Sequence, residues 1–251
     1  MSGHSKWHNR VHRKSRQDAQ KGALYSKMAR EIMVAARAGG PDPESNTALR
    51  LAIDRAKAAS VPMENIQRAI QRGAGGNEAD QLEEVSYEGY APGGVAVYVE
   101  ALTDNRNRTT SEIRYIFTRN GGSLAEAGAV AWMFDRKGYL VINREEHDVD
   151  EERLLEWAAD AGAEDVRVSD DAYEVITAPE DLVPVRRALE GQGVTFAEVS
   201  LSMLPKSEIR IEGKEAEQAL RLVDALEDHD DVQNVYTNLQ IDDEELARLE
   251  E

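Results

Sequence analysis

Apolar residues first recur at helical spacing. Leu24, Met28, Ile32 and Ala35 fall three or four apart and draw one stripe along a helix. The helical pattern runs from about Arg16 to Arg72 in three segments. Gly39-Gly40-Pro41 ends the first, since glycine accepts left-handed geometry and proline cannot continue the helix. Ser45 or Asn46 can cap the second, which turns Leu49, Ala52, Ile53 and Ala56 inward. The third begins near Pro62, uses Met63, Ile66 and Ile70, and stops at Gly73-Ala74-Gly75-Gly76, a hinge and domain boundary.

After Glu83 the period changes from helical to alternating. Val85–Tyr90 and Val95–Leu102 read as strands joined by Ala91-Pro92-Gly93-Gly94. Asp104 or Asn105 then caps a helix with Ile113, Ile116 and Phe117 inward. Val130–Phe134 and Tyr139–Ile142 read as a hairpin turning at Asp135-Arg136-Lys137-Gly138. A helix over Asp150–Ala161 follows, then strands near Val166 and at Tyr173–Thr177, a helix over Pro179–Glu190 and a strand at Thr195–Leu201. Glu208–Ile211 and Val232–Leu239 are the last strands. They flank a helix over Glu215–Glu227 with Ala219, Leu222, Val223 and Leu226 spaced for burial. The fold class expected is α+β, an N-terminal helical domain followed by two α+β ferredoxin-like domains. Residues 81–127 alone make an incomplete sheet that 205–251 would complete, so the middle domain is discontinuous, with 128–204 inserted into it and 1–76 as the helical domain.

Composition sharpens this. The 251 residues exceed one ordinary core and contain no cysteine, which removes disulfides, thiolate metal sites and cysteine nucleophiles. No run reaches the roughly eighteen apolar residues of a membrane span, and the N-terminus lacks a secretory h-region, so a cytoplasmic protein is expected. Phosphate-binding GxxxxGK[ST], HExxH and GxSxG patterns are absent from the sequence, so a non-enzyme without cofactor or small-molecule substrate is expected.

Charge is segregated. The net charge is −18, yet the first thirty residues hold Lys6, Arg10, Arg13, Lys14, Arg16, Lys21, Lys27 and Arg30 against Asp18 alone, a local +7. Clustered cations repel one another, and a polyanion-binding face is what needs them. Trp7 and Tyr25 lie among these cations. They either stack on unpaired bases or anchor the arm to the helical domain. His4, His8 and His12 recur every four residues, but no cysteine or nearby carboxylate completes a zinc site; contacts to phosphate, with His12 the candidate, or no role are the readings left. His147 and His229, among acids, read as surface residues. A second basic cluster is Thr103-Asp104-Asn105-Arg106-Asn107-Arg108-Thr109. Arg106 and Arg108 in a helix's first turn oppose the macrodipole, so a bound phosphate would relieve them and either could be removed without loss of stability. The other reading pairs them with acids such as Glu112.

Longer motifs point to a family. Met1-Ser2-Gly3-His4-Ser5-Lys6-Trp7, His12-Arg13-Lys14, Gly39-Gly40-Pro41-Asp42-Pro43, Tyr87-Glu88-Gly89-Tyr90, Leu102-Thr103-Asp104-Asn105-Arg106-Asn107-Arg108-Thr109 and Gly128-Ala129-Val130-Ala131-Trp132-Met133-Phe134 resemble the YebC/PmpR family across essentially the whole chain. Val11 departs from the usual lysine, and His8 takes a place usually small or polar. The resemblance implies a helical domain with two α+β domains. It also implies a cytoplasmic nucleic-acid-binding regulator: a DNA-binding transcriptional regulator, or a translational activator on ribosomal or messenger RNA. The nucleic-acid contacts expected are the basic-arm residues Lys6, Trp7, Arg10, His12, Arg13, Lys14, Arg16, Lys21, Lys27 and Arg30, with Asn105, Arg106 and Arg108 in the second cluster. A monomer is expected.

Overall fold

The computed structural model describes residues 21–75, 82–145 and 149–242, with positions 245 and 248. Helices α1 (Lys21–Gly39), α2 (Thr47–Ala58) and α3 (Met63–Ala74) form a bundle around Ile32, Leu49, Ala52, Ala56, Ile66 and Ala69. Asn46 is the cap of α2, its Oδ1 accepting from the Leu49 N–H at 3.1 Å. Its amide also donates to the carbonyls of Ala35 and Gly40, at 2.7 and 2.9 Å, and so ties α1 to α2. Two expectations change here. Met63 is half exposed rather than part of the core. Gly73 lies inside α3, not in a hinge: a Cβ there would fall 2.3 Å from the Met33 carbonyl oxygen, so only glycine lets α3 touch the backbone of α1.

Strands β1 (Glu83–Tyr90) and β2 (Ala96–Thr103) pair antiparallel across a turn at Pro92–Gly94, followed by α4 (Arg106–Arg119) and β3 (Ser123–Leu124). Then comes a separate sheet. It is built from β4 (Phe134–Asn143), α5 (Glu151–Ala161), β5 (Asp165–Val168), β6 (Ala172–Thr177), α6 (Leu182–Gly191) and β7 (Glu198–Pro205). Its order β5-β6-β4-β7, antiparallel throughout, is a ferredoxin-like βαββαβ arrangement. The expected hairpin between Val130 and Ile142 is not formed. Asp135-Arg136-Lys137-Gly138 runs straight through β4, and Gly138 pairs with Thr177 on one side and Leu201 on the other. Glycine is there for packing: a Cβ would lie 2.2 Å from Thr177 Oγ1 and 2.9 Å from Leu182 Cβ. The next strand also begins later than expected, at Glu198 rather than Thr195.

The chain then returns to the first sheet through β8 (Ile209–Arg210), α7 (Gly213–Glu227), β9 (Val232–Thr237) and β10 (Leu239–Gln240). Strand β9 pairs antiparallel with β2, giving the order β3-β1-β2-β9, while β8 and β10 form a small parallel pair. Helices α4 and α7 share one core with that sheet, through Ile113 and Phe117 from α4 and Ala219, Leu222 and Leu226 from α7 against Val97 and Val99. Phe134–Lys206 form one compact unit. The helical bundle, the first sheet up to Met133 and the chain from Ser207 belong to the other. No helix among the described residues is long and apolar enough to cross a membrane.

Candidate nucleic-acid interface

Of the predicted contacts, Lys6, Trp7, Arg10, His12, Arg13, Lys14 and Arg16 lie outside the described residues, as do His4, His8 and His147. Lys21 opens α1, and its side chain is also outside the description. Lys27, Arg30, Asn105, Arg106 and Arg108 remain. Tyr25 is an anchor: it packs on the helical core and its hydroxyl donates to the Ser60 carbonyl at 3.0 Å.

The loop between β2 and α4 is fixed by its own side chains. Asn105, not Asp104, caps α4, accepting from the Arg108 N–H at 3.1 Å. Thr103 Oγ1 accepts from the Asn105 N–H at 2.9 Å and is 2.7 Å from Thr109 Oγ1. Such a loop holds the first turn of α4 rigid before any ligand arrives.

Three of the predicted cations converge on one acidic corner where α7 ends and β9 begins. Asp231 is 2% exposed and takes Arg30 on Oδ1 at 2.8 Å. Its Oδ2 takes Arg108 at 2.8 Å and the Thr109 hydroxyl at 2.7 Å. Burial alone would raise the Asp231 pKa. The hydrogen bonds from Thr109 and Arg108 and the charges of Arg30 and Arg108 outweigh it and hold the carboxyl below its ordinary value. Arg30 also donates to the Asp230 carbonyl at 2.6 Å, and Lys27 donates to the Glu227 carbonyl at the end of α7. That is where the helix dipole is negative. Burial nevertheless lowers the Lys27 pKa, against the raising effect of Glu227, Asp228 and Asp230.

Two expectations are corrected by this corner. Arg108 cannot be removed without cost, because it shares a buried carboxylate with Arg30 and also pairs with Asp104 at 3.0 Å. His229 is not a surface residue: its side chain is 12% exposed, Nε2 lies 2.9 Å from Glu112, and Nδ1 accepts from the Asp231 N–H at 3.1 Å. Glu112, His229 and Asp231 could together offer a cation three ligand atoms. With Asp231 already held by two guanidiniums and a hydroxyl, a metal would have to displace those partners first. A phosphate reaching Arg30 or Arg108 faces the same competitor. Arg106 is the more open group, its side chain 64% exposed and paired only with exposed Glu83 at 3.2 Å among the described residues.

One further contact went unread in the sequence. Glu88, buried on β1, accepts the N–H groups of Gly128, Val130 and Ala131 at 2.7, 2.7 and 2.8 Å. Burial opposes its charge, but these three bonds lower its pKa and fix the Gly128–Ala131 loop. A lone glutamate in an alternating strand gives no signal of this. The outer side of α3 exposes Gln67, Arg68, Gln71 and Arg72. Residues 1–76 carry fourteen Lys and Arg against six Asp and Glu, whereas 77–251 carry sixteen against forty-two. Eight of those fourteen cations and only one of the six acids lie in the first thirty residues, so 31–76, with six against five, is close to neutral and the basic excess belongs to the start of the chain.

Residues 5–76 match the TACO1/YebC protein N-terminal domain, and residues 82–239 match the TACO1/YebC second and third domain. The chain belongs to the TACO1/YebC family. The resemblance carried by the sequence motifs is thereby established over nearly the full length. A curated TACO1/YebC relative from Pelotomaculum thermopropionicum is 55% identical over 243 residues, covering 97% of this chain and 100% of that protein. One from Lactobacillus johnsonii is 54% identical, with 97% and 100% covered. Each is named "Probable transcriptional regulatory protein". Among solved structures, a conserved hypothetical protein from Aquifex aeolicus is 50% identical with a TM-score of 0.82, covering 90% of this chain and 93% of that one.

Proposed function

We propose that this TACO1/YebC protein is a non-enzymatic, cytoplasmic regulator of gene expression that binds nucleic acid chiefly through its basic N-terminal arm. The observation that carries this is charge segregation: eight cations against one acid up to residue 30, and twenty-two against forty-seven beyond it. An acidic body repels a polyanion everywhere except at the basic surface, so it orients binding as well as permitting it. The names of the relatives favour a DNA-binding transcriptional regulator. A second reading, a translation factor on ribosomal or messenger RNA, is favoured by the basic-aromatic arm and by the separate Arg106 and Arg108 cluster.

Salt dependence tests the shared claim. With about six phosphates neutralised, affinity falls roughly a thousandfold between 50 and 200 mM salt, and less for single strands. Deleting residues 1–20 should remove most of that slope. A truncated protein that keeps the full slope overturns the reading. Purification from cells separates the two targets: defined promoter fragments support transcription, and ribosomal particles support translation.

A further inference from the structure

Helix α4 departs from the acidic body that carries it. Its fourteen residues hold Arg106, Arg108, Arg114 and Arg119 against Glu112 alone. Helix α5, by contrast, holds Glu151, Glu152, Glu156 and Asp160 against Arg153. Helix α7 holds Glu215, Glu217, Asp224 and Glu227 against Lys214 and Arg221. Thr109, Ile113 and Phe117 face the core, which turns Ser111, Arg114, Tyr115, Thr118 and Arg119 to solvent. Neither Arg114 nor Arg119 forms an ion pair among the described residues, unlike Arg106 and Arg108.

Tyr115 is 61% exposed in the middle of this face. The hydroxyls on either side of it fold back onto the helix: Ser111 donates to the Asn107 carbonyl and Thr118 to the Arg114 carbonyl, each at 2.9 Å. They lie flat, so the ring stands above its neighbours with Arg114 beside it and Arg119 one turn further on. The helix itself is held rigid by the Asn105 cap and the Asp231 corner. An exposed ring between two arginines on a fixed support suits an unpaired base with its flanking phosphates. A duplex keeps the faces of its bases stacked and presents only their edges and its backbone, so it offers this ring nothing to stack on.

We propose that the outer face of α4 is a second nucleic-acid contact, in which Tyr115 stacks on an unpaired base and Arg114 and Arg119 hold the adjoining phosphates of a single-stranded segment. This rests on the nucleic-acid reading above and names a site separate from the basic arm.

Fluorescence anisotropy of the full chain with a labelled ten-nucleotide oligo(U), beside a duplex of the same length, tests it. Tyr115→Ala should weaken oligo(U) binding about five- to a hundredfold, while Tyr115→Phe keeps it, because the ring and not the hydroxyl is used. The duplex should be insensitive to both. Arg114→Ala with Arg119→Ala should lower the magnitude of the salt slope on oligo(U) by about 1.4. All these side chains are exposed, so melting temperatures should stay at the wild-type value and thereby exclude misfolding. If wild type binds oligo(U) and every variant stays within twofold of it, the α4 site is wrong and the basic-arm reading stands. Equal losses on oligo(U) and duplex for Tyr115→Ala also overturn the stacking claim. A wild-type chain that binds neither nucleic acid ends both proposals.

Discussion

Asp231 illustrates how one residue redirects the reading of others. On the sequence it is one of several acids in an acidic turn, and Arg30 and Arg108 are two cations of a basic face. In the structure both arginines and the Thr109 hydroxyl converge on its carboxylate. Replacing it with Asn should cost about 1.5–3 kcal/mol, the usual worth of hydrogen bonds to a buried charge. Arg108→Ala should lower the melting temperature, whereas Arg106→Ala, whose partner Glu83 is exposed, should not. The pH dependence has a definite sign. Asp231 has a folded pKa below its ordinary value, so its contribution is complete above about pH 4, the unfolded value. It is lost as pH falls through the folded value. Urea denaturation of wild type and Asp231→Asn should therefore give a constant gap at neutral pH that closes in stronger acid.

Among the elements, helices were legible, but the short strand β3 was not foreseen and β4 was misread. The stripe from Leu24 to Ala35 has a period that only a helix satisfies, and α1 follows it. Strand β4 was misread because Asp135-Arg136-Lys137-Gly138 has the composition of a turn. Its polar residues sit on the strand instead, Lys137 pairing with Glu164 at 2.6 Å and Asp135 with Lys206 at 3.2 Å. Gly138 separates the two readings by experiment. A turn glycine with positive φ would be replaceable by Asn, whereas this one lies against Thr177 and Leu182. Gly138→Ala should destabilise by about 1–3 kcal/mol through overpacking, and Gly138→Asn should be worse. Thermal melts of the two variants decide it.

For the whole molecule, the consequential feature is the return of the chain to a sheet it left over a hundred residues earlier. We propose that 81–127 with 205–251 fold as one domain, with 128–204 inserted. Strand β9 and helix α7 supply Leu222, Val223, Leu226, Val232 and Val235 to the core that Val97, Val99, Ile113 and Phe117 begin. A chain ending at Leu204 leaves that core half built. Hydrogen exchange should then find the β1–β2 amides unprotected, and adding residues 205–251 as a separate peptide should restore protection. Full protection in the truncated chain would show that the first half folds alone.

The sequence by itself determined the sequence-local properties of this protein. Periodicity placed the helices and most strands, Asn46 and Asn105 could be named as candidate caps, and counting charges separated the basic first thirty residues from an acidic remainder. Motifs long enough to be specific gave the family. Tertiary structure alone decided which cations are already satisfied and which face outward, because that depends on groups about two hundred residues apart, as Arg30 and Asp231 are. It likewise decided that Gly73 and Gly138 are packing glycines and that Tyr115 stands clear of its neighbours. A turn, a hinge and a close contact call for the same residue, and only the neighbouring backbone distinguishes them.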